Sequence, residues 1–468
     1  MKIAFVHYHL KTGGVTTVLK RQVEAIHGRF ETLILTGDRA TAQWPCAVVE
    51  IPELGYDQPG LSPPAADVVA ERVFAALNDK WPGGCDVLHV HNPTLAKNRQ
   101  FLRIIKRLQQ AGVNLFLQIH DFAEDGRSDL YFEEAYPADC HYGVINTRDA
   151  DMLLRAGLDG TGLHHLPNAV QRLAAEGSRC PGSQVLYPVR AIRRKNLGEA
   201  LLLSMFFTGG QRLAVTQPPN SPADRSSYRD WIDWARQNQL PVDFEVGKKT
   251  DFSTLVATSA SMVTTSISEG FGLAFLEPWT AGKLLWGRRL GEIVRDFEKN
   301  GIKLDGLYDR LNVPLRWIGA RAFSRDWQNA VFSAAKRYGH HVAADQAKRV
   351  VARLTRDRTI DFGLLSEKFQ RQVLARLTTD PSGKAELVSL NPWLSHPGVV
   401  ADPAEMIATN RRAVLQNYGA EQYSRRLLTI YDRIVHHPVC HRIDKRALRE
   451  AFFDLQRFSL LQWSPYGG

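Results

Sequence analysis

Cysteine is scarce in this chain and never closely spaced. Its 468 residues include five, Cys46, Cys85, Cys140, Cys180 and Cys440, with no C-x-x-C pair among them. That excludes a thiolate zinc knuckle and a redox dithiol. An odd, scattered set makes no disulfide scaffold and fits a reducing compartment, so a cytoplasmic location is expected. Long apolar runs are missing too. The longest, near residues 200–207, falls far short of the roughly 20 residues that span a bilayer, and no transmembrane segment is expected. The opening MKIAFVHY reads as a strand, without the basic-apolar-small order of a secretory leader. No short internal repeat, RNA-binding aromatic consensus or helix-turn-helix signal is present, so nucleic acid is not an expected partner.

What is present is an ordinary globular composition, 44% hydrophobic and 23% charged. At roughly 150 residues per domain the length implies about two to three domains. The net charge of +10 implies either anionic partners such as phosphates or a basic surface with no special role.

Strands and helices alternate from the start. Apolar β-branched runs predict strands at 2–8, 32–36, 86–90, 114–119 and 142–145. Helical spacing predicts helices at 15–26, 102–110 and 148–156. Such alternation implies a parallel sheet covered on both faces. Pro167 and Asn168 mark a break, and Gly177, Pro181 and Gly182 read as a linker. Alternation then resumes, with strands at 185–189, 213–216, 242–246 and 262–265 and helices at 197–206, 225–238 and 252–257. Beyond Phe323 the pattern is mainly helical (326–338, 342–353, 364–377), with one last amphipathic region at 403–435. The expected fold class is α/β: two doubly wound Rossmann-like domains facing a cleft, 1–172 and 173–400, followed by C-terminal helices over 401–468. Ligands bind such sheets at the carboxyl ends of the strands.

The strongest motif follows the strand at 262–265. It reads Ser268-Glu269-Gly270-Phe271-Gly272-Leu273-Ala274-Phe275-Leu276-Glu277. Gly270 and Gly272 allow backbone amides close to a ligand. A helix starting near Leu273 would aim its free N–H groups at an anion, with Pro278 shortening or kinking it. Glu269 and Glu277 can each accept two hydroxyl hydrogen bonds, which suits sugar diols. The bland alternative is a glycine turn with capping acids. A second motif, Arg190-Ala191-Ile192-Arg193-Arg194-Lys195-Asn196, follows the strand at 185–189. Arg190 and Lys195 suit a diphosphate; a solvated basic loop is the other reading.

Together these residues resemble the retaining glycosyltransferases of family 4, which have the GT-B fold. The resemblance runs from Met1 to about Tyr431. Thr12-Gly13-Gly14-Val15 looks like that family's strand–Gly-Gly–helix turn. His89-Val90-His91-Asn92 resembles its strand-end histidine segment, Ile119-His120-Asp121 its "HD" turn, and Pro167-Asn168-Ala169-Val170 its "PNGV" domain junction. The resemblance implies sugar transfer from a nucleotide-diphospho-sugar with retained configuration and without a metal or other cofactor. It implies that Arg190 and Lys195 neutralise the diphosphate and that Gly13 and Gly14 let a loop close over it. Glu269 with the backbone of Gly270, Phe271, Gly272 and Leu273 would hold the sugar, Glu277 the ribose. His120 would lie beside the reacting sugar, with His91, Asn92 and Asp121 toward the acceptor.

Two departures stand out. The stretch after the glutamate helix, Lys283 to Glu292, lacks the family's small-residue strand and Gly-Gly loop, and Asn168-Ala169 replaces Asn-Gly. Arg288 or Arg289 is expected either to face the cleft and meet an acidic acceptor or donor phosphates, or to be a surface pair. Asp149-Ala150-Asp151 spells the D-x-D of metal-dependent transferases, but it opens a predicted helix, where acids complement the dipole. The adjacent pairs His164-His165, His340-His341 and His436-His437 are expected at the surface. The aromatic tail, Phe452, Phe453, Phe458, Trp463 and Tyr466, is expected to pack on its own protein as the last helices cross back to the first domain. The expected acceptor is a small molecule or glycan, with an acidic one favoured by charge. The rival functions are a phosphorylase on the same fold and a non-catalytic polyanion-binding protein. Sequence alone leaves the base, the sugar and the oligomeric state open.

Overall fold

The structure is a computed structural model and describes residues 1–39, 42–173 and 182–464. Of the expected linker and tail residues, Gly177, Pro181 and Tyr466 lie outside the described residues, as does Cys180. The chain divides into two compact units: Met1–Ala169 with Tyr418–Phe453, and Val170–Asn417 with the residues from Asp454 onward. The last segment, expected over 401–468, is thus shared out, with its middle part in the first unit and its ends in the second.

The first unit is built on seven strands: β1 (Lys2–His7), β2 (Glu31–Thr36), β3 (Ala47–Glu50), β4 (Val87–His91), β5 (Leu115–Ile119), β6 (His141–Val144) and β7 (Leu163–His165). All neighbours pair in parallel, in the order β3-β2-β1-β4-β5-β6-β7. Successive strand residues point to opposite faces, so the near-continuous apolar run of β1 feeds two cores. Ala4 and Val6 pack with Leu33, Leu88 and Leu117 beneath Val73 and Leu77 of the helix Ala66–Lys80 and Phe101 of Phe101–Gln110. Ile3 and Phe5 pack on the other face with Leu19 and Val23 of the helix Gly14–Ile26 and with Leu427 and Tyr431 of Ala420–His436.

The second unit holds β8 (Gln184–Arg190), β9 (Arg212–Gln217), β10 (Val242–Phe244), β11 (Ser261–Thr264), β12 (Leu285–Arg288) and β13 (Leu307–Tyr308). They form a parallel sheet in the order β10-β9-β8-β11-β12-β13. Strand order reverses between β1 and β4 in one sheet and between β8 and β11 in the other. Among the described residues no helix is long and apolar enough to cross a membrane.

Several elements escaped the sequence reading. β3 is a short, half-exposed edge strand. β12, sequence LWGR, is disguised by Gly287, where only glycine fits: φ is +125°, and a Cβ there would lie 2.0 Å from the Thr264 carbonyl oxygen. The region at 403–435 is two helices, Pro403–Tyr418 and Ala420–His436, parted at Gly419. The helix expected from Leu273 is only a 3-10 turn, Leu273–Phe275, and a single α-turn, Glu277–Thr280, with Pro278 in its first turn. The aromatic tail divides between the units. Phe452 stacks near Phe122 in the first (4.9 Å between ring centroids), while Phe458 packs on Trp327 and Trp463 in the second.

Candidate active site

In the second unit, the loops after β8 and β11 flank the strand-order reversal, the place where doubly wound sheets bind ligands. Arg190 ends β8, exposed, with one guanidinium nitrogen donating to Gln217 Oε1 at 3.3 Å. The chain then turns through Arg193–Lys195 into Asn196, which adopts φ +57°. Asparagine tolerates that left-handed conformation better than most side chains. Asn196 is fixed by its own side chain, whose amide donates to Glu199 Oε2 at 2.7 Å while its Oδ1 accepts from Gln370 at 2.8 Å.

The two loops are laced together. The Tyr187 hydroxyl meets Thr265 Oγ1 at 2.8 Å and the Lys195 carbonyl, Thr265 Oγ1 lies 3.0 Å from that same carbonyl, and the Ile267 amide donates to the Arg194 carbonyl at 2.9 Å. Across this junction Lys195 Nζ forms an ion pair with Glu269 Oε1. Burial depresses the lysine pKa against the raising effect of Glu269. Burial pushes the Glu269 carboxyl up, but Lys195 and Arg194 together draw it below its usual value. The pair thus favours the carboxylate form of Glu269, while burial works against the ammonium of Lys195.

After Glu269 the chain needs its glycine. Gly272 has φ +86°, and a Cβ there would lie 2.8 Å from the Phe275 ring and 3.0 Å from Ile293. Phe271 is buried, edge-on to Phe297 at 5.6 Å. Gly270 and Leu273 are half-buried, and Glu277 opens the single α-turn, also half-buried. One turn of helix carries little dipole, so the expected helix-terminus contribution is small here, and side chains and loop amides are the polar groups available.

Arg288 corrects an expectation. It faces neither a ligand site nor the surface. It lies 4% exposed in the core, bidentate to Glu199 (2.7 and 2.7 Å) and to Asp361 (2.8 and 2.8 Å), with the Tyr308 hydroxyl also on Glu199 at 2.5 Å. Burial pulls its pKa down, yet Asp361 and Glu199 hold it well above the usual value. Because Glu199 also receives Asn196, this cluster anchors the turn that carries Lys195. Arg289 pairs with Glu298 (2.5 Å) and Asp309 (3.4 Å) and is partly exposed. Sequence reading missed Tyr187, Thr265 and Glu199, and gave Asn196 no role of its own. The one available signal was Asn196 itself, an asparagine just before a helix.

In the first unit the predicted residues gather at the carboxyl ends of β1, β4 and β5. His91 Nδ1 and His120 Nε2 share a hydrogen bond of 3.0 Å with their rings stacked. Asn92, at φ +57°, accepts from the backbone amides of His120 (3.1 Å) and Asp121 (3.0 Å). Its carbonyl therefore shapes the His120 turn. Asp121 pairs with Arg127 at 2.6 Å. Burial keeps these imidazoles neutral: His7 falls to about 3, His89 to about 3 and His120 to about 4. Gly13 is extended at the start of the helix Gly14–Ile26, and a Cβ on Gly14 would meet nothing within 4 Å.

Asp149 lies in the first turn of the helix Thr147–Arg155, as expected, and is buried. Its amide donates to Asn146 Oδ1 at 2.7 Å and its carboxylate accepts from the Asn146 amide at 2.9 Å, a reciprocal helix cap. His164 is likewise buried, hydrogen-bonded to His141 at 2.8 Å, and not at the surface as expected.

No family model matches the chain. A mannosylglucosyl-3-phosphoglycerate synthase from Petrotoga mobilis is 25% identical over 356 residues, covering 66% of this chain and 68% of the relative. Among solved structures, a glycosyltransferase from Rickettsia africae superposes with a TM-score of 0.53 at 12% identity, over 93% of this chain and 99% of that one. The Anabaena HepE protein in complex with UDP-glucose gives 0.52 at 12% identity, over 93% and 98%. Two tandem parallel sheets, each reversing strand order once, and these neighbours over almost their whole length identify the architecture: the chain has the GT-B fold of glycosyltransferases.

Proposed function

We propose that this chain is a retaining glycosyltransferase of the family 4 type that moves a hexosyl group from a nucleotide-diphospho-sugar to a hydroxyl of an acidic small-molecule acceptor. The observation that carries the reading is the Lys195–Glu269 ion pair at the strand-order reversal of the second sheet. A donor diphosphate takes over Lys195 together with Arg190, and Glu269 is released to accept hydroxyls of the transferred sugar. The amides of Gly270, Phe271 and Gly272 and the backbone of Leu273 line that sugar, Glu277 holds the ribose, and the Gly13-Gly14 loop covers the phosphates. His120, kept neutral by burial, offers a hydrogen bond beside the reacting sugar.

The reaction is a front-face displacement. The acceptor oxygen bonds to the anomeric carbon as the bond from that carbon to the diphosphate oxygen breaks, and the acceptor proton passes to a diphosphate oxygen. This needs no protein nucleophile. Charge builds on the leaving diphosphate, and preorganised cations there lower the barrier. The Petrotoga relative is named for a product containing 3-phosphoglycerate, which together with the net charge of +10 supports a phosphoglycerate derivative as acceptor.

The test is a thermal-shift screen of UDP, GDP, ADP and their sugars, followed by mass detection of glycosylated product from 3-phosphoglycerate and its glucoside with the best donor. One nucleotide class should stabilise the protein and yield a product. If none stabilises it and no acceptor gains a hexose, the reading falls.

A further inference from the structure

The first sheet has its own strand-order reversal, between β1 and β4, so the loops that follow His7 and His91 flank the position at which doubly wound sheets bind ligands. These loops carry His9 and Lys97. Tyr56 stands between them, 45% exposed. Its hydroxyl lies 3.2 Å from His9 Nε2, its ring meets the His9 ring edge-on at 5.1 Å, and Lys97 Nζ sits 5.4 Å from its centroid.

Lys97 contrasts with three other half-buried cations. Lys195 has Glu269, Arg148 has Asp125, and Lys283 donates to two main-chain carbonyls. Among the described residues, no carboxylate or carbonyl pairs with Lys97 Nζ, which rests only against the Tyr56 ring. Burial and the nearby Arg127 both depress its pKa, and an arriving anion would relieve both effects. Arg127 spends part of its charge on Asp121. His7, 5.2 Å ring to ring from His9 and 3% exposed, keeps Nδ1 buried without a hydrogen-bond partner, and so does His91 with Nε2. Buried polar atoms are rarely left unpaired without a reason. An aromatic face, an unneutralised ammonium and spare imidazole nitrogens at one set of strand ends are the elements of a site for a small organic acid.

We propose that Lys97, His9 and Tyr56 form the subsite that holds the phosphate or carboxylate of the acceptor, with Arg127 adding a second positive charge. The assignment deepens the acceptor half of the proposed function and rests on that reading for its biological sense, though not for its binding test. The experiment is calorimetric titration of the full chain with 3-phosphoglycerate, with glycerol as neutral control, and separately with the nucleotide that stabilises it best. Wild type should bind 3-phosphoglycerate and not glycerol. Lys97→Gln should weaken it at least tenfold, Lys97→Arg should restore most of the affinity, and nucleotide affinity should be unchanged in both variants. Equal affinity in wild type and Lys97→Gln, no binding of 3-phosphoglycerate, or equal binding of glycerol would overturn the subsite. If no nucleotide binds while the Lys97-dependent titration persists, the subsite stands and the donor reading falls.

Discussion

Lys195 and Glu269 meet in an ion pair although 74 positions separate them along the chain. Each is delivered by the loop that ends a strand, and each is mostly withdrawn from water, with side chains 15% and 8% exposed. Removing one partner of such a pair strands the other, at about 3–5 kcal/mol, whereas removing both at once is far milder. Lys195→Met should therefore destabilise the protein by several kcal/mol in urea unfolding, and adding Glu269→Gln should recover much of the loss. In transfer assays with the best donor, Lys195→Met should slow turnover by about 10²–10³.

Glu277 lies half-buried at the start of a single α-turn. Hydrogen bonds to a charged group contribute about 1.5–3 kcal/mol. Glu277→Ala should accordingly weaken nucleotide binding by roughly 10- to 100-fold in calorimetry. An unchanged dissociation constant would take Glu277 out of the ribose role.

The Arg288 cluster predicts a stability effect with a functional echo. Arg288→Met leaves Glu199 and Asp361 buried without their cation and should cost about 3–5 kcal/mol in urea unfolding. Arg288→Lys should not rescue it, because lysine lacks the planar fork that engages two carboxylates. The Asn196 turn should loosen as well, so nucleotide affinity should fall in either variant that still folds.

Acid should undo the first unit. His7, His89 and His120 have folded-state pKa values of about 3, 3 and 4, against about 6.5 in an unfolded chain. Because the folded values are depressed, the unfolded state takes up protons first as pH falls. Their contribution is complete above about 6.5 and is lost as pH drops toward the folded values. Between pH 7 and pH 5 the loss should be about 2 kcal/mol per ring. Denaturation midpoints measured across that range should fall steeply, and His89→Gln should flatten the slope.

What was legible in advance follows from how information is carried along the chain. Lys195 and Glu269 could be read because each sits directly after a strand, and strand ends are where this fold binds ligands. Arg288 could not, because its meaning depends on Asp361, 73 positions away, and on burial that no local pattern reveals. Gly287 hid β12 for a similar reason, since the Thr264 carbonyl that demands a glycine belongs to the neighbouring strand. The helix expected at Leu273 was overestimated: Pro278 lacks an amide hydrogen, and the structure follows it with only one turn. Asn92 was read as a possible acceptor contact; its side-chain oxygen also receives the His120 and Asp121 amides, a role no local pattern announces.

The helix Ala420–His436, which covers one face of the first sheet, follows β1 (Lys2–His7) in the chain by about 400 residues. During synthesis at about 5–20 residues per second, Ile3, Phe5 and Ile34 leave the ribosome long before Leu427 and Tyr431 exist to cover them. Every newborn molecule thus carries a bare apolar surface for tens of seconds, and its yield in a cell should depend on chaperone capacity more than that of a protein whose halves are each written as one uninterrupted stretch.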